Sequence, residues 1–307
     1  MDRRAIPAGA AESRWRAADG HEIRRIDLTP DGPVRGALLF VGGRGDFYEK
    51  YLEALVHWQR AGWRVTAADW RGQAGSGRLG GDAVTGHIGD FAEWIGDLAA
   101  LWREWAAETP EPHVLAGHSM GGHLALRAVA EGRLAPDALV LVAPMLNLAS
   151  SLPPALMHTV ARLMRRVGDP RRPAWKWGAV PGEPPPQREH QLTHDPDRYA
   201  DEMWWRRQRP ELVMGPGSWG WVDRAYASMR GLLAPGVLER VQVPTLIVAT
   251  SADALVGYPA TAAAAARIPN AELVTFGEEA RHEILREADP VRSQALAAID
   301  AFLERTT

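Results

Sequence analysis

Gly117-His118-Ser119-Met120-Gly121-Gly122 is the stretch on which the reading of this chain turns. Val114, Leu115 and Ala116 before it read as a buried strand, and Leu124, Ala125 and Leu126 after it as a helix. The hexapeptide is therefore a strand-to-helix turn. Ser119 must take a strained backbone conformation there, and side chains at 117 or 121 would collide within the turn. Its hydroxyl is then expected to stand above the strand ends, as in a nucleophile elbow.

Working outward, short aliphatic runs recur at 36–41, 63–68, 113–116, 138–143, 245–249 and 272–276, each bounded by Gly, Pro, Asp or Asn. Helical patterns lie between them, the signature of βαβ units around a largely parallel sheet. The two-sided apolar character of these strands predicts helices on both faces. Ile88, Phe91, Ile95, Leu98, Trp102 and Trp105 follow one another at helical spacing and predict a helix over the sheet. Further helices are expected at 121–131, 259–267 and 291–304.

The rhythm breaks at 146–236, which holds most of the prolines and six tryptophans, Trp175, Trp177, Trp204, Trp205, Trp219 and Trp221, with no convincing strand. Strand patterning resumes near Val243, and no Gly/Ser tract marks a tether. We therefore expect an α/β core from 1–145 and 237–307 with a helical cap inserted at 146–236. The cap tryptophans have two readings, packing of a small irregular unit or an apolar acyl-binding wall. Pro184-Pro185-Pro186 is expected to form an exposed turn.

Composition narrows the chemistry. The chain has 307 residues with 46% hydrophobic and 24% charged content, an ordinary globular balance. A net charge of -3 offers no broad cationic surface, so nucleic acid is not expected as a partner. The absence of cysteine removes disulfides, thiolate metal sites and a cysteine nucleophile. Residues 1–20 carry four arginines and no apolar run of signal-peptide length, which gives a cytoplasmic expectation.

A serine hydroxyl attacks poorly until a base takes its proton, so an acid and a histidine should follow in the order Ser, acid, His. Asp253 lies just after the 245–249 strand and His282 just after the 272–276 strand, where strand ends deliver site residues. Asp253 could instead cap the alanine-rich helix that follows. Asp69 and Asp223 are the rival acids, Asp69 being expected to brace the turn at Arg71-Gly72; His118 and His123 read as packing groups or supports of the site.

Together with Asp69-Trp70-Arg71-Gly72-Gln73-Ala74-Gly75-Ser76-Gly77, Leu255, Val256 and His282-Glu283-Ile284-Leu285 with Glu287, these residues resemble the α/β-hydrolase superfamily, specifically its monoacylglycerol lipase and lysophospholipase-like branch. The resemblance spans nearly the whole chain. It implies a serine hydrolase that cleaves the carboxylic ester of a monoacyl lipid through Ser119, His282 and Asp253, without metal or organic cofactor. It also implies an oxyanion hole built from the backbone N–H groups of Arg44 and Met120. In the family the loop after the first core strand usually begins His-Gly. Here it runs Gly42-Gly43-Arg44-Gly45-Asp46, which puts the loop geometry in question.

Short-chain carboxylesterase, thioesterase, aminopeptidase and a catalytically silent binding protein are the alternatives on the same fold. An acidic exit from the pocket would favour the aminopeptidase. Transient contact of the cap with a membrane surface is part of the expectation, and the oligomeric state is left open. Three motifs are declined. Gly75–Gly80 fits a dinucleotide fingerprint but opens no helix, His282-Glu283 lacks the second histidine of a zinc helix, and Arg44-Gly45-Asp46 is taken as internal.

Overall fold

A computed structural model describes residues 1–150, 152–176, 184–185 and 187–307. Eight strands form one sheet in the order β1-β2-β4-β3-β5-β6-β7-β8. They are β1 (Ala11–Arg16), β2 (Glu22–Leu28), β3 (Gly36–Val41), β4 (Trp63–Ala68), β5 (His113–His118), β6 (Ala138–Val142), β7 (Thr245–Thr250) and β8 (Ala271–Phe276). From β4 to β8 every neighbouring pair is parallel, while β1, β2 and β4 pair antiparallel at one edge. The chain reverses its direction across the sheet between β3 and β5, so their C-terminal ends open a crevice there.

All six expected strands are present, with no end shifted by more than two residues. The hairpin of β1 and β2 lies outside the sequence expectation. Its strands are rich in Arg and Glu because the edge of an antiparallel pair can leave one face in water. Two-sided burial fails at β8, where Glu272, Leu273 and Thr275 are exposed, because an edge strand has only partial cover.

Among the described residues the helices that flank the sheet are α1 (Leu52–Arg60), α2 (Phe91–Glu108), α3 (Met120–Ala130), α8 (Tyr258–Ala265) and α9 (Asp289–Thr306). Helix α1 was not anticipated, although Leu52, Leu55 and Val56 sit at helical spacing and Gly62 stands just beyond its end. Helix α2 starts at Phe91, three residues after the expected Ile88. Asp90 caps it by accepting the Ala92 N–H at 2.9 Å, and the Glu93 side chain accepts the Asp90 N–H at 2.8 Å. Its Phe91, Trp94, Ile95, Leu98, Trp102 and Trp105 are buried against one face of the sheet.

Between β6 and β7 lie α4 (Pro154–Arg166), α5 (Arg188–Leu192), α6 (Pro196–Gln208) and α7 (Trp219–Leu232). Helix α4 packs on α7, and α6 packs on the turn Tyr48–Tyr51 that follows β3. Backbone hydrogen bonds from Gly86 to Pro216, from Gly215 to Val84 and from Ser218 to Gly86 fasten this region to the loop after β4. Trp177 and Pro186 lie outside the described residues. No helix among the described residues is long and apolar enough to cross a membrane.

Candidate active site

Ser119 stands where β5 becomes α3, with φ 52° and ψ −117°. Non-glycine residues rarely take this conformation, and it persists only when the surroundings enforce it. They do so here. A Cβ on Gly121 would lie 2.4 Å from the carbonyl oxygens of Val41 and Gly42, and one on Gly117 would lie 2.8 Å from the Gly121 backbone. The two glycines thus let the loop after β3 press against the turn. The Ser119 N–H donates to the Val142 carbonyl at 2.9 Å and ties the turn to β6.

Asp253 and His282 arrive from the ends of β7 and β8. His282 Nε2 lies 2.9 Å from Ser119 Oγ, and His282 Nδ1 lies 2.7 Å from Asp253 Oδ2. Asp253 Oδ1 accepts the N–H groups of Leu255 at 2.8 Å and Val256 at 3.0 Å. Burial pushes the Asp253 carboxyl up, but the nearby His282 ring and these two N–H groups bring it below the usual carboxylate range. An ionised Asp253 can only accept, which assigns the proton to Nδ1 and leaves Nε2 to accept the Ser119 hydroxyl. The rival acids are engaged elsewhere: Asp69 accepts from Arg24 at 2.7 Å, not from the 71–72 turn, and Asp223 pairs with Arg165 at 2.7 Å. Arg71 is held instead by Asp97 and Asp19.

The histidine loop is fixed by buried Glu287, which accepts from the N–H of Arg281 at 2.7 Å and of His194 at 3.0 Å. His123, the other histidine near the turn, sits 2.6 Å from Ser228 Oγ, and burial pushes its pKa down to about 3. It is a neutral packing group on α3.

In the loop after β3, Gly43 N–H donates to Asp46 Oδ2 and Gly45 N–H to Gln73 Oε1, both at 2.7 Å, with the Arg44 N–H between them. Met120 opens α3, where the first N–H groups of a helix have no acceptor within the helix. The unusual Gly42-Gly43 has a steric reason: a Cβ on Gly42 would come 2.9 Å from Asp46 Cβ, and one on Gly43 2.9 Å from Ser119 Cβ. No side chain fits there.

A model of the serine aminopeptidase S33 hydrolases matches residues 32–289. The chain belongs to this family. Lysophospholipase L2 of Escherichia coli is 29% identical to this hydrolase over 98% of its length and 92% of the relative. A monoacylglycerol lipase of Mycolicibacterium smegmatis is 31% identical over 53% of the chain and 56% of the relative. A solved monoglyceride lipase of Saccharomyces cerevisiae, in complex with a substrate analogue, superposes with a TM-score of 0.78 at 18% identity, over 98% and 97% of the two chains. The fold is the α/β-hydrolase fold.

Beside the site this hydrolase carries a buried polar cluster that the sequence reading missed. Asp46 accepts from Tyr51 Oη at 2.8 Å and from Lys50 Nζ at 2.6 Å, and lies 3.0 Å from His118 Nδ1. Lys50 also reaches Glu283 at 2.6 Å and Glu202 at 3.2 Å, and Arg286 bridges Glu202 and Glu283. His118 Nε2 lies 3.3 Å from the His282 carbonyl, which links the cluster to the histidine loop. A signal existed. Lys50 is one of only two lysines in an arginine-rich chain, and it follows an acidic turn.

Above Ser119 opens a cavity of about 420 Å³. Its apolar wall combines Met145 and Leu148 with Met157 of α4, Trp219, Trp221, Val222 and Tyr226 of α7, and Leu255 and Val256. Trp175 lines it as well, whereas Trp205 is buried in the core and donates to the Arg3 carbonyl at 2.9 Å. Among the described residues no group of His, Asp and Glu is arranged to hold a metal. The Gly75–Gly80 segment contains a short turn at Ala74–Ser76, with no helix following it to face a pyrophosphate.

Proposed function

We propose that this hydrolase cleaves the carboxylic ester of a monoacyl lipid, a lysophospholipid or monoacylglycerol, by acyl transfer to Ser119 and then to water. The observation that carries the proposal is the line from Asp253 through His282 to Ser119 at the floor of an apolar cavity. His282 takes the Ser119 proton as Oγ attacks the ester carbonyl and later gives it to the leaving alcohol. Asp253 holds the ring and offsets its transient charge. The N–H groups of Arg44 and Met120 receive the oxyanion. Water, activated by the same histidine, releases the fatty acid. The names of the relatives support the substrate class, and the core at 1–145 and 237–307 with a cap at 146–236 remains our proposed division.

Two observations bear on the alternatives. Glu202 is the one acid of 146–236 among the described residues of the cavity wall, and it is taken by Arg286, Arg206 and Lys50, so it offers nothing to a free amine. That argues against an aminopeptidase. Second, Leu152, Leu156, Val160, Leu163 and Val167 form an exposed stripe along α4 and its flanks, with Leu163 61% exposed and Arg162 and Arg166 alongside. Met157 on the same helix lines the cavity. An apolar helix face edged with arginine suits an anionic lipid surface and supports transient membrane contact by α4.

Two experiments test these points. Across a series of p-nitrophenyl esters, kcat/KM should rise about two- to fourfold per added methylene until the chain fills the cavity. Flotation with vesicles containing phosphatidylglycerol should recover wild type and lose Leu163→Glu. A maximum at acetate, with efficient cleavage of aminoacyl p-nitroanilides, would overturn the lipid reading; equal flotation of both proteins would overturn the membrane contact.

A further inference from the structure

The cavity wall is apolar on the side of α4 and α7, but on the side of α6 it is cationic. Arg44, Lys50, Arg188 and Arg206 all line it. Three acids, Asp46, Glu202 and Glu283, share this end of the cavity, and Lys50 and Arg286 already lie among them. Two arginines then have donors to spare. The Arg206 side chain is only 9% exposed and spends one Nη on Glu202 at 2.8 Å, while its Nε and other Nη meet no acceptor among the described residues. Arg44 gives one Nη to the Gly215 carbonyl at 2.7 Å, and its buried Nε has no partner among the described residues.

Leaving such donors dry costs free energy, because a buried polar group without a partner has lost its water for nothing. No acid among the described residues pairs with Arg44. Its guanidinium lies 5.4 Å from the Trp175 ring centroid and 5.1 Å from that of Trp221, which hold it on the boundary between the two halves of the cavity. Burial, and then the charges of Arg188 and Arg206, lower its pKa to about 9. A pocket that sets Arg44, and the part of Arg206 not taken by Glu202, next to an acyl-binding wall suits a ligand with an anion at one end.

We propose that Arg44 and Arg206 form an anion-binding subsite that takes the phosphate diester of a lysophospholipid while its acyl ester faces Ser119. The inference rests on the ester-hydrolase reading above and narrows it: the preferred substrate is a phosphate-bearing monoacyl lipid, and neutral monoacylglycerol is the poorer one. The phosphate lies against the guanidinium groups of Arg206 and Arg44, both of which line the cavity. The acyl chain runs along the wall of Met157, Val222 and Tyr226.

The test compares kcat/KM for lysophosphatidylglycerol and for monoacylglycerol of the same short acyl chain, below their micellar concentrations, in wild type, Arg206→Gln and Arg44→Gln. Wild type should prefer the phospholipid, and the ratio of the two values should fall at least about tenfold in either variant. In parallel, glycerophosphate should compete with p-nitrophenyl butyrate in wild type, while butyrate at equal concentration, a carboxylate of the kind the reaction releases, should not. A ratio unchanged in folded variants, or glycerophosphate no better than butyrate, overturns the subsite while leaving the ester hydrolase intact. If either variant does not fold, the competition in wild type decides alone. Failure of wild type to cleave any ester overturns both readings.

Discussion

Replacing Ser119 by Ala is expected to lower kcat/KM on the best p-nitrophenyl ester by at least about 10⁴-fold, with the protein still folded. The size follows from the division of labour at the site. Without Oγ no acyl-enzyme forms, and what persists is the acceleration that the oxyanion donors and the cavity give to direct attack by water. The strained turn survives the change, because it is enforced by Gly117, Gly121 and the loop after β3, with no contribution from the hydroxyl. Initial rates of matched preparations, with far-ultraviolet circular dichroism as the folding control, check it.

The largest effect on stability is expected at Lys50. Its side chain is 3% exposed and contacts Asp46, Glu202 and Glu283. Lys50→Met keeps the volume but leaves buried carboxylates short of a cation, a change that costs about 3–5 kcal/mol in comparable settings. The sign with pH follows from the acids. Burial pushes Asp46 and Glu202 up, but the charge of Lys50, joined by the His118 contact at Asp46 and by Arg206 and Arg286 at Glu202, outweighs it and holds both below the usual carboxylate range. A depressed carboxyl contributes stability that is present above its unfolded pKa and lost as pH falls through the lower folded value. Urea unfolding should therefore show the widest gap between wild type and variant near neutral pH, and a narrower one below about pH 4. A gap that does not change with pH would mean that Lys50 acts by packing.

What could be read from the chain depended on how local each signal was. The elbow was legible because strand, turn and helix lie within a dozen residues and the glycines are dictated by sterics at one point. Asp253 and His282 were legible because strand ends in this topology deliver them in a fixed chain order. The cluster joining Lys50 and Asp46 to Glu202, Glu283 and Arg286 was not, since its members lie on the loop after β3, on α6 and on the histidine loop, and no local pattern announces a contact across more than 150 residues. The hairpin of β1 and β2 escaped for a different reason: a water-exposed edge needs little apolar patterning. Arg44 carried two features, of which only the backbone one could be anticipated; the side chain's place over Trp175 and Trp221 exists only in three dimensions.

Ser119, prepared by His282, is the proposed nucleophile. This role is tested most directly by labelling the native protein with a fluorophosphonate, which reacts covalently with a serine whose proton is being removed, and by mapping the adduct by peptide mass spectrometry. One adduct per chain is expected, on the peptide containing Ser119, formed in step with loss of esterase activity and suppressed in His282→Ala. Activity that persists after Ser119 is fully labelled, or an adduct on another serine that tracks the loss, would contradict it.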